Sequence, residues 1–214
     1  MKYLKLFENF NQSEIDKICK KYNIQNYTIN PDGSIDVNGH VLLGKQKLTE
    51  LPLKFNIVSG DFYCYINNLT SLDGSPTYVG GGFYCSDNKL KSLVGCPNYV
   101  GGNFYCDYNQ LTSLMGCPKE VGGDFYCSYN QLTSLMGCPK EVGGDFYCSY
   151  NPISPIIDLF DDVKIYLDYQ ETFNFLRKDC KVVKHLLEDA IKDFSEYYNK
   201  NVELPEKIEG YTYI

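Results

Sequence analysis

The sequence predicts an α/β repeat solenoid, in which successive turns of the chain stack on one another and share a parallel β-sheet. Three observations lead to this fold class. Residues 111–130, LTSLMGCPKEVGGDFYCSYN, recur unchanged at 132–151, which sets a period of 21 residues. The same frame extends backwards through less exact turns that begin at Leu90, Leu69 and Leu48. Each turn also contains a short run with the period of two that is typical of a half-buried strand.

The strand of each turn is the segment around the sequence FYC. Phe125 and Cys127 alternate with Asp124, Tyr126 and Ser128. Since successive side chains of a strand point to opposite faces, we expect phenylalanine and cysteine to lie inside and tyrosine outside. Stacking would then form two inner columns, because a turn cannot bury its apolar face alone. The columns are Phe62, Phe83, Phe104, Phe125 and Phe146, and Cys64, Cys85, Cys106, Cys127 and Cys148.

The chain must turn after each strand. Leu132 and Leu135 follow Asn130 at a spacing that one face of a strand cannot keep. An asparagine suits this position, because its side-chain amide can satisfy backbone groups that lack a partner in the sheet. Gly143 and Gly144 then allow a tight backbone before the next strand.

The pattern F-x-C-x-x-N-x-L-x-x-L resembles the leucine-rich repeat, L-x-x-L-x-L-x-x-N-x-L, over residues 41–153. The resemblance implies a right-handed solenoid with its parallel sheet on the concave face. The phrasing LTSL-x-G-x-P is similar to the bacterial subclass found in secreted ubiquitin-ligase effectors, and residues 27–43 resemble openings of short repeat proteins of tailed phages. One departure is glycine at the first leucine position of the motif. These glycines are Gly81, Gly102, Gly123 and Gly144.

The ends of the chain are expected to cap the solenoid, which divides it into three parts. Residues 1–40 form an N-terminal cap, with a helix from Ser13 to about Tyr22 and a β-meander at 27–29, 34–37 and Val41. Residues 41–168 form the leucine-rich repeat solenoid, ending in a degenerate strand at 164–168. Residues 169–214 form a C-terminal helical cap and tail, with an amphipathic helix over about 179–198.

Composition argues against several classes of protein. The net charge is -7 with no basic cluster, so a nucleic-acid partner is not expected. The start, MKYLKLFENF, lacks the apolar core and cleavage site of a signal peptide, and no apolar run approaches about 18 residues. We therefore expect no membrane interaction and a cytoplasmic protein, in the host cytoplasm if phage-encoded, with free thiols.

The 10 cysteines raise the question of a metal site. There is no C-x-x-C pair and no histidine near the repeat cysteines, whose spacing is that of structural columns. These are Cys96, Cys106, Cys117, Cys127, Cys138 and Cys148. We expect buried, apolar thiols, no metal and no cofactor. Disulfides between neighbouring turns or a bound soft metal remain alternatives.

Catalysis is not expected either. The two histidines, His40 and His185, have no evident partner in the sequence. The ubiquitin-ligase effectors that the repeats resemble carry a catalytic cysteine in a large helical domain, followed two residues later by aspartate. Here only a short segment follows the repeats, and Cys180 is followed by Lys181 and Val182. The sequence predicts a protein that is not an enzyme.

The outer strand positions are the candidate binding face. Its residues are Tyr63, Tyr84, Tyr105, Tyr126 and Tyr147, flanked by Asp61, Asn103, Asp124 and Asp145 and by Asp107, Tyr108, Tyr129 and Tyr150. Lysines fall outside the strands, at Lys54, Lys91, Lys119 and Lys140. Tyrosine offers a large amphipathic contact area at low entropic cost, so we expect protein binding. The alternative is that the tyrosine columns only stabilise the sheet by stacking.

The functional hypothesis is a non-enzymatic protein that binds another protein, host or bacterial and basic, through this face. A structural role in a virion or surface array is an alternative, and the oligomeric state is open. A regular array could also bind a small ligand or ice. One threonine recurs in most turns, at Thr49, Thr70, Thr112 and Thr133, but Lys91 interrupts the row.

Overall fold

The computed structural model describes most of the repeats and short stretches beyond them. The described residues are 12–133, 137–148, 150–152, 176–177, 181–182, 184, 187–189, 191–192, 203–204, 206–207 and 212–213. Several sequence expectations fall outside these residues. They are Leu135, the strand at 164–168, Cys180 and His185.

The chain forms a β-solenoid of 21-residue turns. In chain order its strands are β1 Tyr27–Ile29, β2 Ile35–Val37, β3 Val41–Leu42, β4 Phe55–Val58, β5 Phe62–Tyr63, β6 Tyr78–Val79, β7 Phe83–Tyr84, β8 Tyr99–Val100, β9 Phe104–Tyr105, β10 Glu120–Val121, β11 Phe125–Tyr126, β12 Glu141–Val142 and β13 Phe146–Tyr147. The odd strands β3 to β13 form a 6-stranded phenylalanine sheet, and β1 with the even strands β2 to β12 forms a 7-stranded valine sheet. Each turn therefore supplies one strand to each sheet.

Pairing within both sheets confirms the parallel, in-register stacking of the repeats. Phe125 is opposite Phe104 in the phenylalanine sheet, and Val121 is opposite Val100 in the valine sheet. The register holds between turns because the backbone groups bond across them. Cys106 N donates to Tyr126 O at 2.8 Å. Each such bond contributes about 1 kcal/mol net, so stability comes from many of them together.

The valine sheet is the main feature that the sequence did not predict. The sequence pattern indicates no strand between the proline and the paired glycines of a turn, such as Pro139 and Gly143. From β6 to β12 the strands of this sheet are only two residues long, such as Glu141–Val142, so they are too short to show an alternating pattern. Turn-to-turn stacking, rather than local sequence preference, makes them strands.

The paired glycines lie at the corner between the two strands of a turn, where adjacent turns approach closely. A Cβ atom on Gly122 would overlap the carbonyl oxygen of Gly101, and one on Gly123 would overlap Asn103 Oδ1. Glycine replaces leucine at this motif position because the backbones of adjacent turns are too close for a side chain. The solenoid keeps its regular stacking at these glycines.

The core is the set of inward columns that the sequence predicts. Phe104 and Phe125 are fully buried, and their rings stack with centroids 5.1 Å apart. Cys106 and Leu111 are also fully buried. Stacking continues along the column at 5.0 to 5.5 Å from Phe62 to Phe146. One continuous apolar core thus runs along the solenoid.

A buried asparagine in each turn joins it to the preceding one. Asn109 Nδ2 donates to Cys85 O and Cys106 O, both at 3.1 Å, and Leu90 N donates to Asn109 Oδ1 at 3.0 Å. Asn109 is 8% exposed. The same bonds recur at Asn67, Asn88, Asn130 and Asn151. The role expected of Asn130 is confirmed.

The N-terminal elements precede the first turn. Helix α1, Gln12–Lys21, begins one residue before the expected position, and its Ile15 and Cys19 are fully buried. β1 and β2 pair antiparallel, as predicted. The meander is wrong in its third strand, because β3 pairs with β5 in the phenylalanine sheet. Residues 38–40 take the chain around the corner between the sheets, where Val41 N donates to Asp61 O at 2.9 Å.

In the described part of the C-terminal region the chain forms three further strands, β14 Leu176–Arg177, β15 Lys181–Val182 and β16 Thr212–Tyr213. β15 pairs antiparallel with β14 and parallel with β16. The helix predicted over about 179–198 is therefore wrong at Lys181–Val182, where the sequence Val182-Val183 supplies two consecutive β-branched residues, which favour a strand. Helical residues are described from 184 to 192, with gaps, and Leu187 and Ile191 among them are buried.

Deleting residues 111–131 is expected to leave a shorter protein that still unfolds cooperatively. The deletion removes one full turn and joins Gln110 to Leu132, so the register of both sheets is kept. Urea unfolding measured by circular dichroism provides the test. Deleting residues 111–120 breaks the frame and should abolish the cooperative transition, and equal behaviour of the two deletions would contradict the solenoid.

Asn109→Ala is expected to lower the free energy of unfolding by roughly 2 to 4 kcal/mol. The substitution leaves Leu90 N–H without its buried partner, which costs about 1–3 kcal/mol, and removes one of the two asparagine donors to each of the carbonyls of Cys85 and Cys106. Denaturant titration measures the loss. Asn98→Ala is the matched control, because Asn98 is exposed and its backbone N bonds to Thr77 O.

Candidate binding surface

Five tyrosines form a continuous stack on the outer side of the phenylalanine sheet. We call this set the strand ladder: Tyr63, Tyr84, Tyr105, Tyr126 and Tyr147. Its ring centroids are 4.5, 5.0, 4.2 and 4.5 Å apart in order along the ladder. The rings are nearly parallel, with 5° between Tyr105 and Tyr126. Each inner ring therefore has both faces covered by its neighbours and presents its edge and hydroxyl group.

The acidic flank expected beside the ladder contacts it directly. Tyr126 Oη donates to Asp124 Oδ2 at 3.0 Å, and Tyr63 Oη donates to Asp61 Oδ2 at 3.1 Å. Burial, followed by the bond to Asp61, raises the pKa of Tyr63 to about 12. The hydroxyl groups thus remain protonated donors at neutral pH.

The same carboxylates also join successive turns. Asp124 Oδ1 accepts a bond from Asp145 N at 2.8 Å, and Asn103 Oδ1 accepts one from Asp124 N at 2.9 Å. Asn103 and Asp124 therefore make the same inter-turn bond, and only the aspartate adds a charge. One oxygen of the acid supports the solenoid while the other faces the tyrosine hydroxyl.

A second stack, the corner ladder, consists of Tyr108, Tyr129 and Tyr150. Its ring centroids are 4.3 and 4.2 Å apart. The side chains are 51%, 40% and 68% exposed. Their backbone φ angles are 51°, 54° and 56°, in the left-handed region that bulky residues rarely adopt. Ile66 and Asp87 hold the same position and conformation in earlier turns, so the corner imposes it on every side chain.

Between the two ladders runs a column of shorter side chains, Ser86, Asp107 and Ser128. Ser128 N donates to Asp107 Oδ1 at 2.9 Å, and Ser86 Oγ lies 3.4 Å from Asp107 Oδ2. Burial raises the pKa of Asp107 to about 6. The structure thus places the sequence-predicted tyrosines and acids on one side of the phenylalanine sheet.

Sequence reasoning missed two parts of this surface and one feature of the valine sheet. Leu42 is 60% exposed and precedes Tyr63 in the strand ladder column. His40 is not unpaired as expected, because Asp61 N donates to His40 Nδ1 at 3.0 Å. Both residues lie 21 positions before their partners, so the period could have revealed them.

The third missed feature is another aromatic pair on the valine sheet. Tyr78 and Tyr99 stack at 5.0 Å with 8° between their rings. Lys119 and Lys140 come directly before valine-sheet strands β10 and β12. Two lysines thus lie beside the valine sheet. As predicted, Lys54, Lys91, Lys119 and Lys140 all lie outside the strands.

The thiols of the inner column are buried in the core. Desolvation by burial raises the pKa of Cys106 and Cys127 well above the usual range. Cys96 and Cys117 form an outer, half-buried column whose Sγ atoms lie 2.8 Å from Gly116 O and Gly137 O of the next turn. Among the described residues no group of three histidine, cysteine or acidic side chains could hold a metal ion.

Comparison with protein-family models, with curated proteins and with solved structures finds no match to this chain. The repeat and the structure therefore carry the functional argument. Within the described part of the chain, no helix has the length and apolar character needed to cross a bilayer.

Cys106 and Cys127 are expected to react slowly with a thiol reagent in the folded protein and rapidly in denaturant. Reaction needs an exposed thiolate, and both thiols are fully buried with raised pKa values. Mass spectrometry after timed alkylation gives the rate at each site. Native-state labelling of these two cysteines as fast as in denaturant, or stoichiometric zinc in the purified protein, would refute a purely packing role.

Proposed function

We propose that this protein is a non-enzymatic repeat protein of the leucine-rich type that binds a basic protein through the strand ladder and its acidic flank. The observation that supports the proposal most is the composition of the solvent-facing side of the phenylalanine sheet. It combines a continuous stack of tyrosines with Asp61, Asp124 and Asp145, and its strands contain no lysine. Complementary charge speeds association and selects partners.

The leucine-rich assignment is supported by the turn chemistry. A buried asparagine bonds two turns, and Leu111 and Leu114 of the same repeat point into the core. In this proposal the solenoid is right-handed and the phenylalanine sheet is its concave face. Burial of Ile15 and Cys19 supports a capping role for α1, and burial of Leu187 and Ile191 supports one for residues 169–214.

A protein partner fits the ladder better than a sugar or a nucleobase. Those ligands bind aromatic residues chiefly by stacking on an exposed ring face. Here the ring faces of Tyr84, Tyr105 and Tyr126 are covered on both sides by neighbouring rings. Ring edges and hydroxyl groups remain, which suit the mixed apolar and hydrogen-bonding contacts of a protein interface.

Sheet packing alone is a weaker explanation of the tyrosines. Stacked rings do contribute about 0.5–1.5 kcal/mol per pair. The corner ladder, however, holds tyrosine where the backbone favours glycine, asparagine or aspartate. Three exposed aromatic side chains in that conformation support a role beyond packing.

The resemblance to short repeat proteins of tailed phages leads us to propose a host or bacterial protein as the partner, met in the cytoplasm. Capture from bacterial lysate with the full chain, followed by mass spectrometry, would identify it. A structural component of a virion or array would instead co-purify with particles.

Tyr105→Ala combined with Tyr126→Ala is expected to weaken partner binding by at least about tenfold. Aromatic hot spots typically contribute about 2 kcal/mol each to an interface. Calorimetric titration gives the affinity, and thermal unfolding reports the accompanying loss of stacking. Tyr78→Ala with Tyr99→Ala is the matched control, since it removes a stacked pair from the other sheet. Binding that depends on the control pair and not on Tyr105 and Tyr126 would contradict the proposal.

Asp124→Asn combined with Asp145→Asn is expected to slow association with a basic partner and to reduce its salt dependence. Asn103 already makes the same inter-turn bond in the preceding turn, so the fold should be kept. Stopped-flow association rates at two ionic strengths measure the effect. An unchanged rate at low salt would show that the acidic flank does not steer the partner.

A further inference from the structure

The two tyrosine ladders run side by side over only part of the solenoid. The corner position holds Lys45, Ile66 and Asp87 in the earlier turns and tyrosine from Tyr108 onwards. Tyr105 therefore begins the segment in which every turn carries a tyrosine in both ladders. The strand position thus keeps tyrosine from Tyr63 to Tyr147, whereas the residue type at the corner position changes along the solenoid.

The corner tyrosines are costly to the backbone. A bulky residue at positive φ strains the backbone, and asparagine or aspartate is better suited to that conformation. Asp87 shows that this corner accepts aspartate. The three tyrosines pack on one another rather than in the core, and Tyr150 is 68% exposed. Clustered exposed aromatics of this kind are typical of binding sites.

Asp107 lies in the column between the ladders. One carboxylate oxygen accepts a hydrogen bond from Ser128 N, and the other lies 3.4 Å from Ser86 Oγ, which is a long contact. Among the described residues, the ion pairs of lysine with an acid involve Asp32 and Glu188 and not Asp107. The half-buried carboxylate of Asp107, which lies between the two tyrosine ladders, can therefore pair with a cationic side chain of a ligand.

The length of the segment that carries both ladders limits the size of a ligand that can bind along it. The corner ladder covers three turns, and turns of a parallel sheet are about 4.8 Å apart, so the segment is roughly 10 Å long. An extended peptide rises about 3.3 Å per residue, so three or four residues span it.

We propose that the strip between the strand ladder and the corner ladder, from Tyr105 to Tyr150, binds an extended segment of three or four residues whose arginine or lysine pairs with Asp107. This inference rests on the proposed function, and it specifies which chemical groups of the partner contact the protein. Ring edges and hydroxyl groups of the two ladders contact the backbone and the flanking side chains of the segment. The acids of the flank, Asp124 and Asp145, add attraction for the same cation.

The first test uses a peptide probe with the full chain. Acetyl-Thr-Arg-Thr-Gly amide is titrated against the protein and followed by NMR shifts, and the same peptide with citrulline in place of arginine is the uncharged match. We expect dissociation on the order of 1 mM for arginine and at least about tenfold weaker binding for citrulline. Equal binding of the two peptides, or no arginine binding up to about 10 mM, would overturn the inference.

Protein variants locate the contact. Asp107→Asn keeps an acceptor for Ser128 N, and Tyr108→Asn with Tyr129→Asn suits the positive φ, so both variants should fold. Each should weaken the arginine peptide about tenfold, as estimated for a lost charge pair or aromatic contact. Tyr78→Asn with Tyr99→Asn is the control and should leave binding unchanged. Peptide affinity that is unaffected by Asp107→Asn would overturn the site.

The outcome can be separated from that of the proposed function. A captured partner that needs Tyr105 and Tyr126 but tolerates Asp107→Asn and the corner substitutions would overturn this inference and leave the proposed function standing. A partner whose affinity falls with Asp107→Asn and is restored by Asp107→Glu supports the inference, because the glutamate returns the charge.

Discussion

The turns of the solenoid stack in register, and one buried asparagine per turn holds them there. Asn109 bonds the carbonyls of Cys85 and Cys106 in two adjacent turns and accepts the amide of Leu90. Without this side chain the buried amide of Leu90 would have no partner, because the chain leaves the phenylalanine sheet there, and each carbonyl would lose one of its two asparagine donors. The bond also explains why a corner residue such as Tyr108 is held at positive φ, since its conformation turns the following asparagine inward.

The same register that stacks phenylalanine inside stacks tyrosine outside. Phe104 and Phe125 pair in the core, and Tyr105 and Tyr126, the next residues, pair on the surface. The strand ladder therefore follows from the architecture together with the choice of tyrosine. The corner ladder is different, because the architecture there disfavours the residue that is present. That difference directs the functional argument to the C-terminal half of the repeats.

Much of the phenylalanine sheet could be predicted because the period of 21 places chemically identical residues in one column. Phe125, Cys127 and Asn130 could be assigned to their positions from a single turn. The valine sheet could not, because strands such as Glu120–Val121 form only when neighbouring turns supply partners. The contact of His40 with Asp61 and the ring stacking of the ladders also depend on three-dimensional register. The sequence pattern indicates which residue types face outward from the phenylalanine sheet. The binding properties of that face depend on how these side chains are arranged in three dimensions.

Amide hydrogen exchange can show whether the asparagine bonds hold the turns in register. The amides of Leu69, Leu90 and Leu111 bond to asparagine side chains and lie outside both sheets, while the amides of Cys85 and Cys106 bond within the phenylalanine sheet. If the asparagine bonds hold the turns in register, the leucine amides should exchange as slowly as the cysteine amides. If the leucine amides exchange at the rate of exposed loops while the cysteine amides are protected, the asparagine bonds do not hold the turns in register.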